Sequence, residues 1–397
     1  MNAYGDNWYV SWHNFEGQQA PPQTPFVVHD VTLRDGEQQA GILFTMDEKI
    51  EIAKALADLG VDRIEAGMVA VSEEDRQTIR RIVDLGLRSE IWTISRSMPE
   101  DVDQAVASGV AGSGIIILAN EQYCKVFRWT PEQAIEKAIR AAERARQGGL
   151  KTTLLIADSS RMKAELLRQI VTAATDSGLY DALALMDTFG ALAPEGAFHL
   201  VEMVRSMTSL TVELHPHNDF GFGAINAING LRAGARVIHT SMLGLGERVG
   251  NTPLEELAVA APLLYGYRHR LDLSKLASAA ELVQRHSRMA VSANKPIIGS
   301  SYSQIESGTV ATEFSRLSKA GEGVQWLFPF DPQLIGRGKV ELVTGKGSGL
   351  ANIDAILEKT NHRLDDLQKR NLLERAKIES MRLHRVLSDA EVVSLIE

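Results

Sequence analysis

The chain pattern predicts a (β/α)8 TIM barrel followed by a lid segment and a small helical subdomain. Three observations carry this. Short apolar or β-branched runs alternate with helix-period segments eight times between residues 26 and 265, the count and size of that barrel. The competing fold, an open doubly wound sheet, lacks its mark here, a glycine-rich dinucleotide loop after the first strand. Polar residues collect just past the C-terminal ends of the strand candidates, where barrels carry their chemistry.

In order, the strand candidates are 26–31, 63–66, 91–95, 114–118, 152–157, 182–186, 211–214 and 237–242. The helix candidates are 46–59, 73–85, 100–108, 131–147, 162–177, 195–206, 221–233 and 253–264. Thr45 stands before Met46 with Glu48 three residues on, and Thr130 before Pro131, both helix-start signals. Gly60, Gly109, Gly148 and Gly178 sit where helices should end.

Residues 1–25 read as an N-terminal arm that lies on the domain or on a partner. Its aromatics Trp8, Tyr9, Trp12 and Phe15 precede Pro21, Pro22 and Pro25. The barrel domain is expected over 26–290. Residues 291–349, rich in Gly, Ser and Pro, suit a lid or linker. Residues 350–397 read as three short helices, with Ile353, Ile356, Leu357, Leu364, Leu367, Leu372 and Leu373 at helical spacing.

Composition narrows the function. The 397 residues are 44% hydrophobic and 23% charged, a soluble globular profile. The net charge of -9 comes with no basic cluster, so nucleic acid is not an expected partner. One cysteine, Cys124, rules out an intramolecular disulfide and a cysteine metal cage. No apolar run reaches the roughly 18–20 residues of a membrane span, and no signal-peptide pattern opens the chain. No membrane association and a cytoplasmic location are expected.

His215-Pro216-His217 ends the seventh strand candidate. Residues i and i+2 of a strand share a face, so two imidazoles can meet at one point. A bland reading leaves them as strand-end histidines in water. Asp35, past the first strand, can add a hard carboxylate oxygen, and Arg34 can hold a carbonyl or enolate oxygen with its fork of donors. Loop salt bridges are the alternative for this pair. Asn251 closes the glycine-rich loop after strand eight and offers an amide oxygen. Two imidazoles, a carboxylate and an amide oxygen suit a divalent metal such as Mn, Co or Zn, and Mg less comfortably.

Four motifs occur in one order: Thr32-Leu33-Arg34-Asp35-Gly36-Glu37-Gln38, Asp187-Thr188-Phe189-Gly190, His215-Pro216-His217-Asn218-Asp219-Phe220-Gly221 and Gly246-Glu247-Arg248-Val249-Gly250-Asn251. Over about residues 26–390 the chain resembles the DRE-TIM metallolyases, nearest the isopropylmalate, homocitrate and citramalate synthases, with hydroxymethylglutaryl-CoA lyase as a relative. The resemblance implies Asp35, His215 and His217 as metal ligands and Asn251 as a ligand or close neighbour. It implies Arg34 at the reacting oxygen and Thr188 at the carboxylate of a 2-oxo acid. Arg161 and Asn120 are expected to line the same substrate pocket. The implied reaction is a Claisen condensation of an acyl-CoA, acetyl-CoA foremost, with a 2-oxo acid, followed by thioester hydrolysis. A homodimer whose lids exchange between subunits is implied as well. The lyase's cysteine in the loop after strand eight is missing, and Gly-Glu-Arg-x-Gly-Asn resembles the synthases instead. No C-terminal amino-acid-sensing domain is expected.

The chain departs from this pattern in its proton-transfer groups. Val310 stands where the synthases carry a lid histidine after Glu306-Ser307-Gly308. Ala157 replaces a usual glutamate, and Ala119-Asn120-Glu121 a usual serine and histidine. Three readings stay open. Another base acts, with Tyr302 and Glu306 ahead of His286 and Tyr123; or the reaction is a retro-aldol or retro-Claisen cleavage; or the chain binds ligand and metal without turnover.

Overall fold

A computed structural model describes residues 10–16 and 21–396. Eight parallel strands close into a barrel in chain order. They are β1 (Val27–Asp30), β2 (Arg63–Met68), β3 (Glu90–Arg96), β4 (Gly112–Ile117), β5 (Lys151–Ile156), β6 (Ala182–Asp187), β7 (Thr211–Pro216) and β8 (Val237–Thr240). β8 pairs back onto β1, Val27 opposite Val237 and Asp30 opposite Thr240, which closes the ring.

The helices of this unit are α1 (Met46–Leu59), α2 (Glu73–Asp84), α3 (Pro99–Ala107), α4 (Glu121–Phe127), α5 (Pro131–Gln147), α6 (Ala164–Ser177), α7 (Pro194–Arg205), α8 (Gly223–Ala233), α9 (Leu254–Tyr265) and α10 (Leu276–Ser287). Thr45 with Glu48, and Thr130 with Gln133, form reciprocal capping boxes at α1 and α5. Two helices go beyond the eight alternations. α4 buries none of its residues, so it sends no amphipathic signal. α10 buries Leu276, Ala277, Ala279, Ala280 and Val283 on one face and follows the eighth alternation.

The barrel interior divides in two. Ile94, Leu155, Ala184 and Met186 form an apolar cluster on the β3–β6 side. The other side is ionic. Arg63 on β2 reaches Glu213 on β7 at 2.8 Å, a contact between non-neighbouring strands that must cross the interior.

Among the described residues, 21–290 form one compact unit, and 291–396 with 10–16 form another. The second holds a two-stranded pair, β9 (Gln304–Ile305) with β10 (Glu341–Leu342). Its helices are α11 (Gly308–Lys319), α12 (Gly323–Leu327), α13 (Leu350–Lys359), α14 (Asp366–Leu383) and α15 (Asp389–Ser394). Its core joins Ile353, Ile356, Leu357, Leu372, Leu373, Ala376, Leu387 and Val392. Leu367, counted among the apolar positions above, is 68% exposed, and α14 runs to 18 residues rather than being short. The Gly/Ser-rich segment contains α11, of which only Ala311 is buried, so composition hid a helix there. Trp12 and Phe15 are exposed, while Trp8 and Tyr9 lie outside the described residues.

Candidate metal centre

Strand ends and their loops bring the site together. Asp35 follows β1, and His215 ends β7 with His217 just beyond. All three are buried, and each offers one ligand atom within 4.8 Å of the others. His215 Nε2 lies 3.4 Å and His217 Nε2 3.9 Å from Asp35 Oδ2. Donors around a borderline divalent ion sit roughly 3–3.5 Å apart, given metal–nitrogen bonds of about 2 Å.

The protonation states suit a ligand role. His217 Nδ1 is 3.2 Å from Gly250 O. A carbonyl only accepts, so Nδ1 carries the proton and Nε2 presents its lone pair toward Asp35. Burial lowers both imidazoles, His215 to about 3, so they are neutral at neutral pH. Burial alone would raise the Asp35 carboxyl. The Arg34 guanidinium, with His215 beside it, more than offsets that and holds it well below the usual range. Neither His215 nitrogen nor Asn251 Oδ1 has a hydrogen-bond partner, although all are buried. A His215 Nε2 lone pair beside the Asp35 carboxylate, with the Asn251 amide oxygen also unpartnered, fits a cation. Asn251 is placed by its Nδ2, which donates to Leu245 O at 3.0 Å.

The loop after β8 needs its glycines. Gly250 has φ +97°, and a Cβ there would run into the Gly244 carbonyl. A Cβ on Gly246 would meet Asn251 Nδ2 and lie 3.1 Å from Asp35 Oδ1.

Arg34 is buried. Its Nη1 donates to Asp35 Oδ2 at 2.8 Å and to Gln38 Oε1 at 3.2 Å, and its Nε pairs with Glu65 Oε1. Its Nη2 is a buried donor with no partner. Thr188 Oγ1 accepts from Asp158 N at 2.8 Å, which leaves its own proton to donate. Arg161 makes a two-point pair with Asp158 at 2.8 and 2.9 Å and stacks over Phe189 at 4.0 Å. Asn120 Nδ2 donates to the same Asp158 carboxylate at 2.8 Å. Arg161, Asn120 and Thr188 therefore converge on Asp158.

Of the remaining base candidates, Tyr123 lies close enough to Asp158 and Arg161 to couple to their charges. His286 on α10 contacts Glu51 at 2.8 Å and Glu48 at 3.5 Å, outside the strand ring. Tyr123 on α4 is half-buried, and burial pushes its hydroxyl up. Tyr302 and Glu306 belong to the other compact unit. The Tyr302 hydroxyl donates to Phe330 O at 3.0 Å, its ring stacks on Phe330, and burial pushes its pKa far up. Glu306 Oε1 accepts from Gly347 N at 2.8 Å.

Sequence reasoning missed Glu65, which fixes Arg34. Arg63 and Glu65 stand at i and i+2 in an apolar strand, and that pair of inward charges was the available signal.

A family model described as HMGL-like matches residues 26–283. A putative (R)-citramalate synthase of Archaeoglobus fulgidus is 34% identical over 372 residues, 93% of this chain and 74% of that protein. A homocitrate synthase of Methanothermobacter thermautotrophicus is 34% identical over 352 residues, 88% of each chain. The solved structure of an HMG-CoA lyase from Bacillus subtilis superposes with a TM-score of 0.63 at 18% identity, covering 69% of this chain and 97% of that one.

Proposed function

The chain belongs to the HMGL-like family, and we propose that it condenses acetyl-CoA with a 2-oxo acid, giving a 2-hydroxy-2-alkyl dicarboxylate and CoA. It is an acyltransferase-type enzyme of the alkylmalate and homocitrate synthase kind. The observation that supports the reading most is the buried Asp35–His215–His217 group with the unpartnered Arg34 Nη2 beside it.

Asp35, His215 and His217, with Asn251 Oδ1 close by, would hold a divalent ion, Mn, Co or Zn by donor type. Bound there, it supplies Lewis acidity to the keto group. Arg34 holds the keto oxygen as negative charge develops on it. Thr188 donates its hydroxyl proton to the 2-oxo acid carboxylate. Arg161 and Asn120, fixed on Asp158, wall the pocket for the variable part. A base takes a proton from the acetyl methyl group. That carbon bonds to the keto carbon, the keto oxygen is protonated, and water cleaves the thioester to release CoA. We assign the base to Glu306 rather than Tyr302, because the tyrosine's proton is engaged by Phe330 O and burial keeps it on the oxygen.

The test is CoA release from acetyl-CoA, read with a thiol reagent, across 2-oxo acids from pyruvate to 2-oxoglutarate. Release with one or two of them is expected. Pyruvate release from a 4-hydroxy-2-oxo acid without CoA release would make the protein a carbon–carbon lyase instead. Metal-dependent keto-acid binding with neither reaction would make it a binding protein.

A further inference from the structure

A second group of ligand-type side chains lies one layer deeper in the barrel. His29, Glu213 and His239 each offer an atom within 4.8 Å of the others. A second ion is the rival reading, and charge argues against it. Glu213 already pairs with Arg63, and Glu65 beside it with Arg34. A dication there would face two arginines with no unpaired carboxylate to balance it. The histidines are also engaged. His239 Nε2 lies 2.9 Å from Glu213 Oε2 and His29 Nε2 3.2 Å from Glu65 Oε2. Burial lowers His29 to about 4, so the ring is neutral and its single proton sits on Nε2. Its Nδ1 has no partner, consistent with that tautomer.

What this group touches gives it a role. His217 is oriented by the Gly250 carbonyl, but His215 has no such bond at either nitrogen. The His215 ring instead meets the His239 ring in a T-shaped contact, centroids 5.3 Å apart at 86°. His239 stacks on His29 at 4.3 Å and 14°. His29 in turn bonds Glu65, and Glu65 holds Arg34.

We propose that the stacked His29–His239 pair, clamped by Glu65 and Glu213, is a positioning unit that steadies both the metal ligand His215 and Arg34. Only the part concerning Arg34 rests on the functional reading above.

Metal-stripped protein titrated calorimetrically with Mn²⁺, together with steady-state kinetics, tests this. Wild type should bind one Mn²⁺ per chain. His239→Ala should weaken that binding about 10- to 100-fold. If His239→Ala fails to fold by circular dichroism, His239→Gln, which lacks the ring, carries the same expectation. His29→Phe keeps the stacked ring and removes the donor. It should lower kcat about tenfold while leaving KM for the 2-oxo acid within twofold. His29→Gln, whose amide restores the donor, should recover most of that loss. Three results overturn the proposal: a second Mn²⁺ per wild-type chain that His29→Phe abolishes, wild-type Mn²⁺ affinity in the His239 variant, or equal loss of kcat in His29→Phe and His29→Gln. If wild type releases no CoA with any 2-oxo acid, the functional reading fails, and the Mn²⁺ titration alone decides this one.

Discussion

Arg34 shows how much of the chemistry depends on fixing one side chain. Its guanidinium is held on one edge by Glu65 and on the other by Asp35 and Gln38, and Nη2 is left to act. Lysine offers a point charge and cannot span those partners. Arg34→Lys should therefore lower kcat by about 100-fold or more and also lower the melting temperature, because a buried carboxylate loses its partner, as kinetics and a melting curve on the same preparation would show. Asp30 makes a different prediction. Burial raises its carboxyl to about 7, opposed by its bonds to Thr32. A carboxyl raised on folding favours the native state at low pH and loses that advantage as pH rises from about 4 through 7. Asp30→Asn should thus gain stability relative to wild type between pH 5 and pH 8, by up to about 2.5 kcal/mol, in urea unfolding at the two pH values. A gap that narrows or reverses over that range would mean the carboxyl is not raised.

At the scale of elements, the loop after β8 ties the centre together. The Gly250 carbonyl accepts from both Asn218 N and His217 Nδ1, and Gly244 O accepts from Asn251 N. Gly250→Ala forces a Cβ onto the Gly244 carbonyl at φ +97°. It should cost on the order of 2–3 kcal/mol and weaken Mn²⁺ binding along with stability, both measurable on one variant. Elements of this kind were readable in the sequence where their signal is local. The eight strands announced themselves as apolar runs, and the α1 and α5 starts through Thr45 and Thr130. Strand period put His215 and His217 on one face, and the resemblance carried by the four motifs made them expected metal ligands. What was not legible depends on contacts across the barrel. Nothing local says that His29 meets Glu65, or that Arg63 reaches Glu213. α4 and α11 were hidden because almost nothing in them is buried.

For the whole molecule, the barrel supplies the proposed metal ligands and Arg34, while Tyr302 and Glu306 lie in the other compact unit. We propose that a homodimer with exchanged lids joins these parts across two chains. It predicts complementation. His215→Ala and Glu306→Gln homodimers should each be nearly inactive, but mixing unfolded chains and refolding them together should restore about a quarter of wild-type activity. A lid serving its own barrel would restore none, and sedimentation of the wild type would read the dimer directly. Among the described residues no helix is long and apolar enough to cross a membrane.

We propose that Asp35, His215 and His217 form a metal centre on which carbon–carbon bond formation depends. The most direct measurement is CoA release as metal-stripped protein is titrated with Mn²⁺, for wild type and His215→Ala. The expected result is activity that saturates near one Mn²⁺ per chain in the wild type, with neither Mn²⁺ binding nor CoA release in the variant. Undiminished turnover in His215→Ala, or full activity in stripped wild type, would contradict it.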